Sequence, residues 1–415
     1  MSGHIQDRWF KTEPGPDGKP RRVKSDRYGT GNRYRARYTA PDGKEKSKSF
    51  PDRQKRRAEE WLTHIAADMS RGQYIDPKAA RTTFQEYATQ WMASQTTDAV
   101  TQEGTERRLR LHVLPHLGPR PLGAFQPAHI REWLKRLEES GLAASYIGII
   151  YTDARAILSA AVDDSLLARN PCASRSVRQP SVRRDRVVPW TADRVFAVRA
   201  GLPPGFRPMV DLGGGCGLRQ GEILGLAVDA IDFRAQTLHV VSQVKVLRQG
   251  LVFAPPKGDK VRDVPLPTAV AAILRDHIEA FPPVAVALPW RTWEGPKATK
   301  LLLFTDAAGS AFRRSAFNVG LWKPALAAGG VIPIPLPGLG YARAPRDGMH
   351  ALRHFYASVL LDAGENIKAL SEYLGHADAA ITLRTYTHLM PSSPDRTRRA
   401  VDALYNGSAD RPDGP

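Results

Sequence analysis

Cysteine is nearly absent: Cys172 and Cys216 are the only two in 415 residues. That excludes a disulfide-stapled scaffold and a thiolate cluster around a metal. Long apolar runs are missing too. None reaches the length of about 18 residues that a membrane helix needs, and the longest candidate, 325–342, is broken by Pro and Gly. The opening MSGHIQDRWFKTEPG holds no apolar stretch, so no secretory signal is expected. The glycine cluster Gly213-Gly214-Gly215-Cys216-Gly217 lacks the Lys-Ser/Thr of a phosphate loop and does not fit the dinucleotide pattern GxGxxG. Acidic residues are outnumbered, 42 against 60 Lys and Arg, which leaves a net charge of +18. These absences point to a soluble, cytoplasmic protein that seeks a polyanion and has no membrane partner.

What is present can fold. The chain is 42% apolar, enough for real cores, and its length predicts two to three domains at about 150 residues each. In residues 1–60, 17 Lys and Arg stand against 9 Asp and Glu, so this stretch carries +8 of the total. Arg33-Tyr34-Arg35-Ala36-Arg37-Tyr38 alternates with the period of a strand, placing Arg33, Arg35 and Arg37 on one face. Pro41-Asp42-Gly43 is a turn, after which Lys44, Lys46 and Lys48 repeat the alternation. One basic face and one packing face are expected. Ala58, Trp61, Leu62, Ile65, Ala66 and Met69 follow helical spacing and supply the packing partner, a helix that should stop near Gly72. A small sheet on one helix suits the DNA major groove, although a solvated charged face is the bland alternative.

From Thr82 onward apolar stripes recur with helical period: Phe84 to Met92, Ile130 to Leu137 and Ile147 to Ala161. They describe a compact helical domain. His112 and His116 have the i, i+4 spacing of metal ligands, but Pro115 between them argues against a helix there. Periodicity is lost over 173–189, where Arg175, Arg178, Arg183, Arg184 and Arg186 face only Asp185, as in a basic linker. Arg183, Arg184 and Arg186 are candidate phosphate contacts.

The second half is mixed. The glycine cluster reads as a tight turn into a helix that holds Arg219 near its start. Strands are expected over Thr237–Leu247, Leu251–Ala254 and Val261–Leu266, with 255–259 as a hairpin turn bearing Lys257. Helices should run over Thr268–Ala280 and Ala311–Ala328. Gly329–Arg346, rich in Pro and Gly, resembles an insertion. In Met349-His350-Ala351-Leu352-Arg353-His354, His350 and Arg353 share a helix face. His350 and His354 also have a zinc-helix spacing, but Ala351 stands where a zinc protease has Glu, so no metal and no cofactor are expected. The last block is Leu374-Gly375-His376, followed by Thr382-Leu383-Arg384-Thr385-Tyr386-Thr387-His388.

Arg219 in LRQGE, Lys257 in PPKGDK, His350 and Arg353 in HALRH, His376 in LGHA and Tyr386 in TLRTYTH stand in the order of the tyrosine recombinases, which the whole chain resembles. Lys257 departs from the family's usual PKT. The resemblance implies an α+β, mostly helical chain. Residues 1–75 would be an arm-type DNA-binding domain with a three-stranded sheet plus helix, and 82–172 a helical core-binding domain. Residues 173–189 would be the linker, 190–390 a mixed catalytic domain with a small antiparallel sheet, and 391–415 a C-terminal tail.

It also implies a reaction. A tyrosine phenol cuts a phosphodiester and stores its energy as a new phosphate ester, so no ATP is needed. By resemblance, Tyr386 is the nucleophile, while Arg219, Arg353 and His376 hold the non-bridging oxygens. Lys257 would protonate the departing 5′-oxygen, His350 would assist proton transfer at the tyrosine, and Glu222 would orient these groups. The implied partners are double-stranded DNA with core and arm sites, three further copies of the chain, and accessory bending or directionality factors. The alternatives are a Xer-type resolvase and a DNA-binding protein without catalysis.

Overall fold

A computed structural model describes residues 3–14, 19–72, 74–76, 79–179, 186–376, 378–386, 388 and 398. The chain divides into two compact units, Met1–Thr97 with Gly104–Arg183, and Asp98–Glu103 with Arg184–Pro415. Among the described residues no helix is long and apolar enough to cross a membrane. Arg183, Arg184 and the tail 391–415, apart from Arg398, lie outside the described residues.

The first unit opens with β1 (His4–Asp7), β2 (Phe10–Pro14), β3 (Pro20–Lys24), β4 (Tyr34–Thr39) and β5 (Glu45–Phe50). The antiparallel order β1-β4-β5 makes the expected three-stranded sheet, and β2 and β3 pair as a separate hairpin that the sequence reading missed. Tyr34, Ala36 and Tyr38 bury one face of β4 against α1 (Lys55–Ser70), while Arg35 and Arg37 point away. The helix ends before Gly72, whose φ of +65° continues no right-handed turn. The single basic face is corrected by the register. Arg35 sits opposite Ser49 and Arg37 opposite Ser47, so Lys46 and Lys48 fall beside Tyr38 and Ala36 on the helix side. Paired residues share a face, and a slip of one position exchanges the faces of a strand. Lys46 accordingly reaches Asp76 at 2.5 Å, and Lys48 lies over the Phe50 and Trp61 rings.

The helices α2 (Phe84–Ala93), α3 (Ala99–Arg108), α4 (Leu114–Leu117), α5 (Pro127–Glu139) and α6 (Ala144–Asp163) follow. Thr83 and Glu86 close a reciprocal capping box on α2. The apolar stripes converge in one core around Phe84, Trp133, Ile150 and Leu158. The expectation of no helix at His112 and His116 is overturned. A π turn over Leu109–Val113 runs directly into α4, which carries Pro115 as its second residue.

The second unit begins with α7 (Ala192–Ala200), α8 (Pro208–Cys216) and α9 (Gln220–Leu224). Gly213, Gly214 and Gly215 are helical residues of α8, not a turn as expected. A Cβ on Gly213 would lie 2.9 Å from Leu352, and one on Gly215 2.9 Å from Val270, so small residues are required by packing partners remote in sequence. The turn is confined to Gly217, at φ +65°.

Strands β6 (Ile231–Asp232), β7 (Thr237–Val240), β8 (Gln243–Val246), β9 (Leu251–Ala254) and β10 (Arg262–Pro265) follow. β9 pairs with β8, and β10 with β7, so the segment carrying Lys257 connects two sheets rather than turning a β9–β10 hairpin. Next come α10 (Thr268–Ala280), the hairpin β11 (Val284–Pro289) and β12 (Lys297–Leu302), α11 (Arg314–Phe317) and α12 (Lys323–Ala328). The chain closes with α13 (His350–Asp362), α14 (Ile367–Leu374) and α15 (Ala379–Tyr386). One large core gathers α8, α9, the strands and the start of α13, and a smaller cluster joins Tyr356, Leu361, Leu370, Leu374 and Tyr386.

Candidate functional site

Arg219 is placed by its neighbours. The left-handed residue Gly217 ends α8, Leu218 is buried, and Arg219 becomes the N-cap of α9. Glu222, three residues on, accepts the Arg219 backbone N–H at 2.8 Å and its Nη1 at 2.9 Å. The other guanidinium nitrogen, Nη2, donates to the Gly375 carbonyl at 3.2 Å.

Glu222 is itself buried, and Arg262 on β10 clamps it with Nη1 on Oε1 at 3.0 Å and Nη2 on Oε2 at 2.7 Å. Burial alone would raise this carboxyl. The two Arg262 hydrogen bonds, the charges of Arg262 and Arg219, and the Arg219 backbone outweigh it and hold the carboxyl down at about 2. Nε of Arg262 donates to the Tyr373 carbonyl at 2.6 Å, at the end of α14. Gly375 caps that helix at φ +58°, and a Cβ there would meet the Arg262 side chain at 3.0 Å.

Arg353, on the first turns of α13, is 1% exposed. Its Nη1 donates to the Gly217 carbonyl at 2.7 Å and its Nη2 to the Leu374 carbonyl, whereas its buried Nε has no hydrogen-bond partner among the described residues. Burial, then Arg219 close by, pulls it down to about 9, which still leaves it charged at neutral pH. His376 follows Gly375 and shares a 2.7 Å hydrogen bond between Nδ1 and Thr382 Oγ1 on α15.

Tyr386 ends α15 and is 1% exposed. Its hydroxyl meets Nδ1 of His354 at 2.8 Å. Burial pushes the phenol up to about 12 even though the Arg353 and Arg219 charges act to lower it. His350 packs edge-on against His354, ring centroids 4.7 Å apart, with its outer side exposed. His350 and His376 are held down at about 4 by burial and then by the guanidinium and histidine charges around them, and His354 at about 4 by burial and then the Arg353 charge. All three are neutral at pH 7.

Arg219 and Glu222 from α9, His350 and Arg353 from α13, His376 just beyond α14 and Tyr386 from α15 therefore meet, from four separate elements. Lys257 does not join them. It is exposed on a turn beside Gly258, at φ +73°, with no hydrogen bond to the group among the described residues. Lys260 instead places Nζ 2.8 Å from the His376 carbonyl. Arg262 and Lys260 were not singled out in the sequence, and His354 was weighed there only as a zinc ligand and set aside. Arg262 left one signal: it shares the inward face of β10 with Val264, a position where a charge needs a buried partner.

At the N-terminal sheet, Arg33 is tied to Asp7 at 3.0 Å and to Asp52 at 3.0 Å. Arg35 donates to Ser47, and Arg37 to Glu45 and Gln6, on the outer face of the sheet. Lys44 is exposed in the β4–β5 turn, and Arg186 is exposed at the end of the linker.

Residues 206–392 match the phage integrase family, and 83–138 match the phage integrase N-terminal SAM-like domain. A putative prophage phiRv2 integrase of Mycobacterium tuberculosis is 26% identical over 371 residues, covering 86% of this chain and 88% of its own. A tyrosine recombinase XerC-like protein of Caldanaerobacter subterraneus is 24% identical over 299 residues, 68% of this chain and 72% of its own. The fold is that of the Tn1549 transposon integrase solved in complex with transposon right end DNA, with a TM-score of 0.62 at 21% identity over 78% of this chain and 99% of that one. The chain belongs to the phage integrase family and is a tyrosine site-specific recombinase.

Proposed function

We propose that this recombinase integrates or excises a phage or other mobile element, cutting and rejoining double-stranded DNA through a 3′-phosphotyrosine at Tyr386. One observation carries the reading: a single buried phenol lies under the charges of both Arg219 and Arg353. A phosphoryl group attacked by that phenol would develop charge where two fixed guanidinium groups can receive it, and a fixed donor of this kind is typically worth about 3 kcal/mol at the barrier. His376 adds a neutral donor to the same oxygens. The Tyr386 oxygen bonds to phosphorus, the bond to the 5′-oxygen breaks, and Lys257, once DNA draws its turn inward, supplies the departing oxygen's proton. Attack by a partner strand's 5′-hydroxyl reverses these steps.

Each copy cuts one strand, and two exchanging duplexes contain four, so a homotetramer on DNA is the working assembly, joined by bending or directionality factors. Residues 1–75 would grip arm sites through Arg35 and Arg37, while 82–172 and 190–390 clasp the core site and 173–189 tracks phosphates between them. The protein would work in the bacterial cytoplasm at the nucleoid. A Xer-type resolvase is the second reading, favoured by the XerC-like relative; the added N-terminal sheet favours the integrase.

The test is covalent trapping on nicked duplex carrying the attachment site. Wild type should give an SDS-resistant adduct, and Tyr386→Phe should give none while still shifting the DNA. Equal trapping by the Phe protein rules out Tyr386 as the nucleophile. Loss of trapping by both leaves a DNA-binding protein without catalysis.

A further inference from the structure

The family pattern puts proton transfer at the tyrosine on His350, yet His350 has no hydrogen bond to Tyr386 among the described residues. The neighbour that does is His354, one residue beyond Arg353 on α13, with Nδ1 2.8 Å from the phenolic oxygen. The two rings meet at 63° with centroids 5.6 Å apart, so the contact is aimed at the hydroxyl rather than stacked on the ring. His350 packs edge-on against His354.

We propose that His354, not His350, takes the phenolic proton as Tyr386 attacks phosphorus. The inference rests on Tyr386 being the nucleophile. The step balances: the Oη–P bond forms, the P–O5′ bond breaks, the phenolic proton moves to Nδ1 of His354, and the 5′-oxygen is protonated from Lys257 or solvent. On religation His354 returns its proton to the leaving phenol.

The surroundings suit an acceptor. His354 faces Tyr386 from α15, His350 and Arg353 on its own helix, and His376 beyond α14. Burial first, and then the Arg353 charge, keep the imidazole neutral at working pH, with a lone pair available to the phenol. Tyr386, held near 12, gives up its proton only to a base already in contact.

The experiment uses the full chain and attachment-site duplex with sulfur replacing the bridging 5′-oxygen at the scissile phosphate. Sulfur leaves without protonation, so the rate of adduct formation reports activation of the phenol alone. Wild type should be flat between pH 6 and pH 8. His354→Asn, which retains an acceptor atom but no basicity, should be slower by about a hundredfold or more and climb about tenfold per pH unit as hydroxide takes over. His350→Gln, which leaves the bond between His354 and Tyr386 in place, should keep a flat profile whatever its rate, and a profile that climbs about tenfold per unit in this variant would overturn the proposal. Adduct formation by His354→Asn within about threefold of wild type overturns the proposal, as does a wild-type rate that itself climbs tenfold per unit, a result needing no variant. An adduct from Tyr386→Phe would instead overturn the nucleophile assignment.

Discussion

Glu222 is the residue on which the arginines depend. Its two oxygens hold Arg219 on one side and Arg262 on the other in the interior, so removing it strands a buried guanidinium. Glu222→Ala should lower unfolding stability by about 3–5 kcal/mol in urea titrations as well as abolish trapping. An acid limb follows. Glu222 is depressed on folding, so its contribution is whole above pH 4.5 and is lost as pH falls towards 2. His350, His354 and His376 are depressed as well and must charge on unfolding, so their contribution begins to drain below pH 6.5 and is lost by about pH 4. Stability measured by denaturant at stepwise pH should decline from pH 6.5 downward. A curve flat to pH 4 would show that these histidines are solvated in solution.

At the scale of elements, the decisive contact is α8 against α13. The glycines of α8 admit Leu352, and Gly217 both turns the chain and accepts from Arg353. Gly217→Ala combines a left-handed backbone with a Cβ 2.5 Å from the Tyr356 ring, and should cost about 2–4 kcal/mol, read as a lowered Tm. In the N-terminal sheet, Arg33 bridges Asp7 and Asp52 and lies over the Trp9, Phe10 and Tyr34 rings. Its substitution by Ala should loosen this module, seen as faster proteolysis within residues 1–75, more than it alters the salt dependence of DNA binding.

For the molecule as a whole, the charge of +18 sets how it meets DNA. Release of counterions makes the affinity fall steeply with salt, and each phosphate contact contributes about 0.9 to the logarithmic slope. Replacing Arg35 and Arg37 together by Ala should flatten the slope for arm-site DNA by about 1–2 and leave that for isolated core sites unchanged. An unaltered arm-site slope would mean that the outer face of the sheet is only solvated.

Local pattern was legible without any structure. The helical stripes of 84–161 and the alternation of Tyr34, Ala36 and Tyr38 follow from residue spacing, because helix and strand periods act over a few neighbours, whereas the set Arg219, His350, Arg353, His376 and Tyr386 was implied by resemblance to the tyrosine recombinases. Register, by contrast, depends on how two strands meet, which is why Lys46 and Lys48 turned out on the helix side. The glycine run is helical because Leu352 and Val270 fill the space beside it. The clamp of Arg262 on Glu222 and the bond of His354 to Tyr386 join residues far apart in the chain. Such pairings reflect desolvation and charge in a packed interior, quantities that exist only once the tertiary structure has brought the groups together.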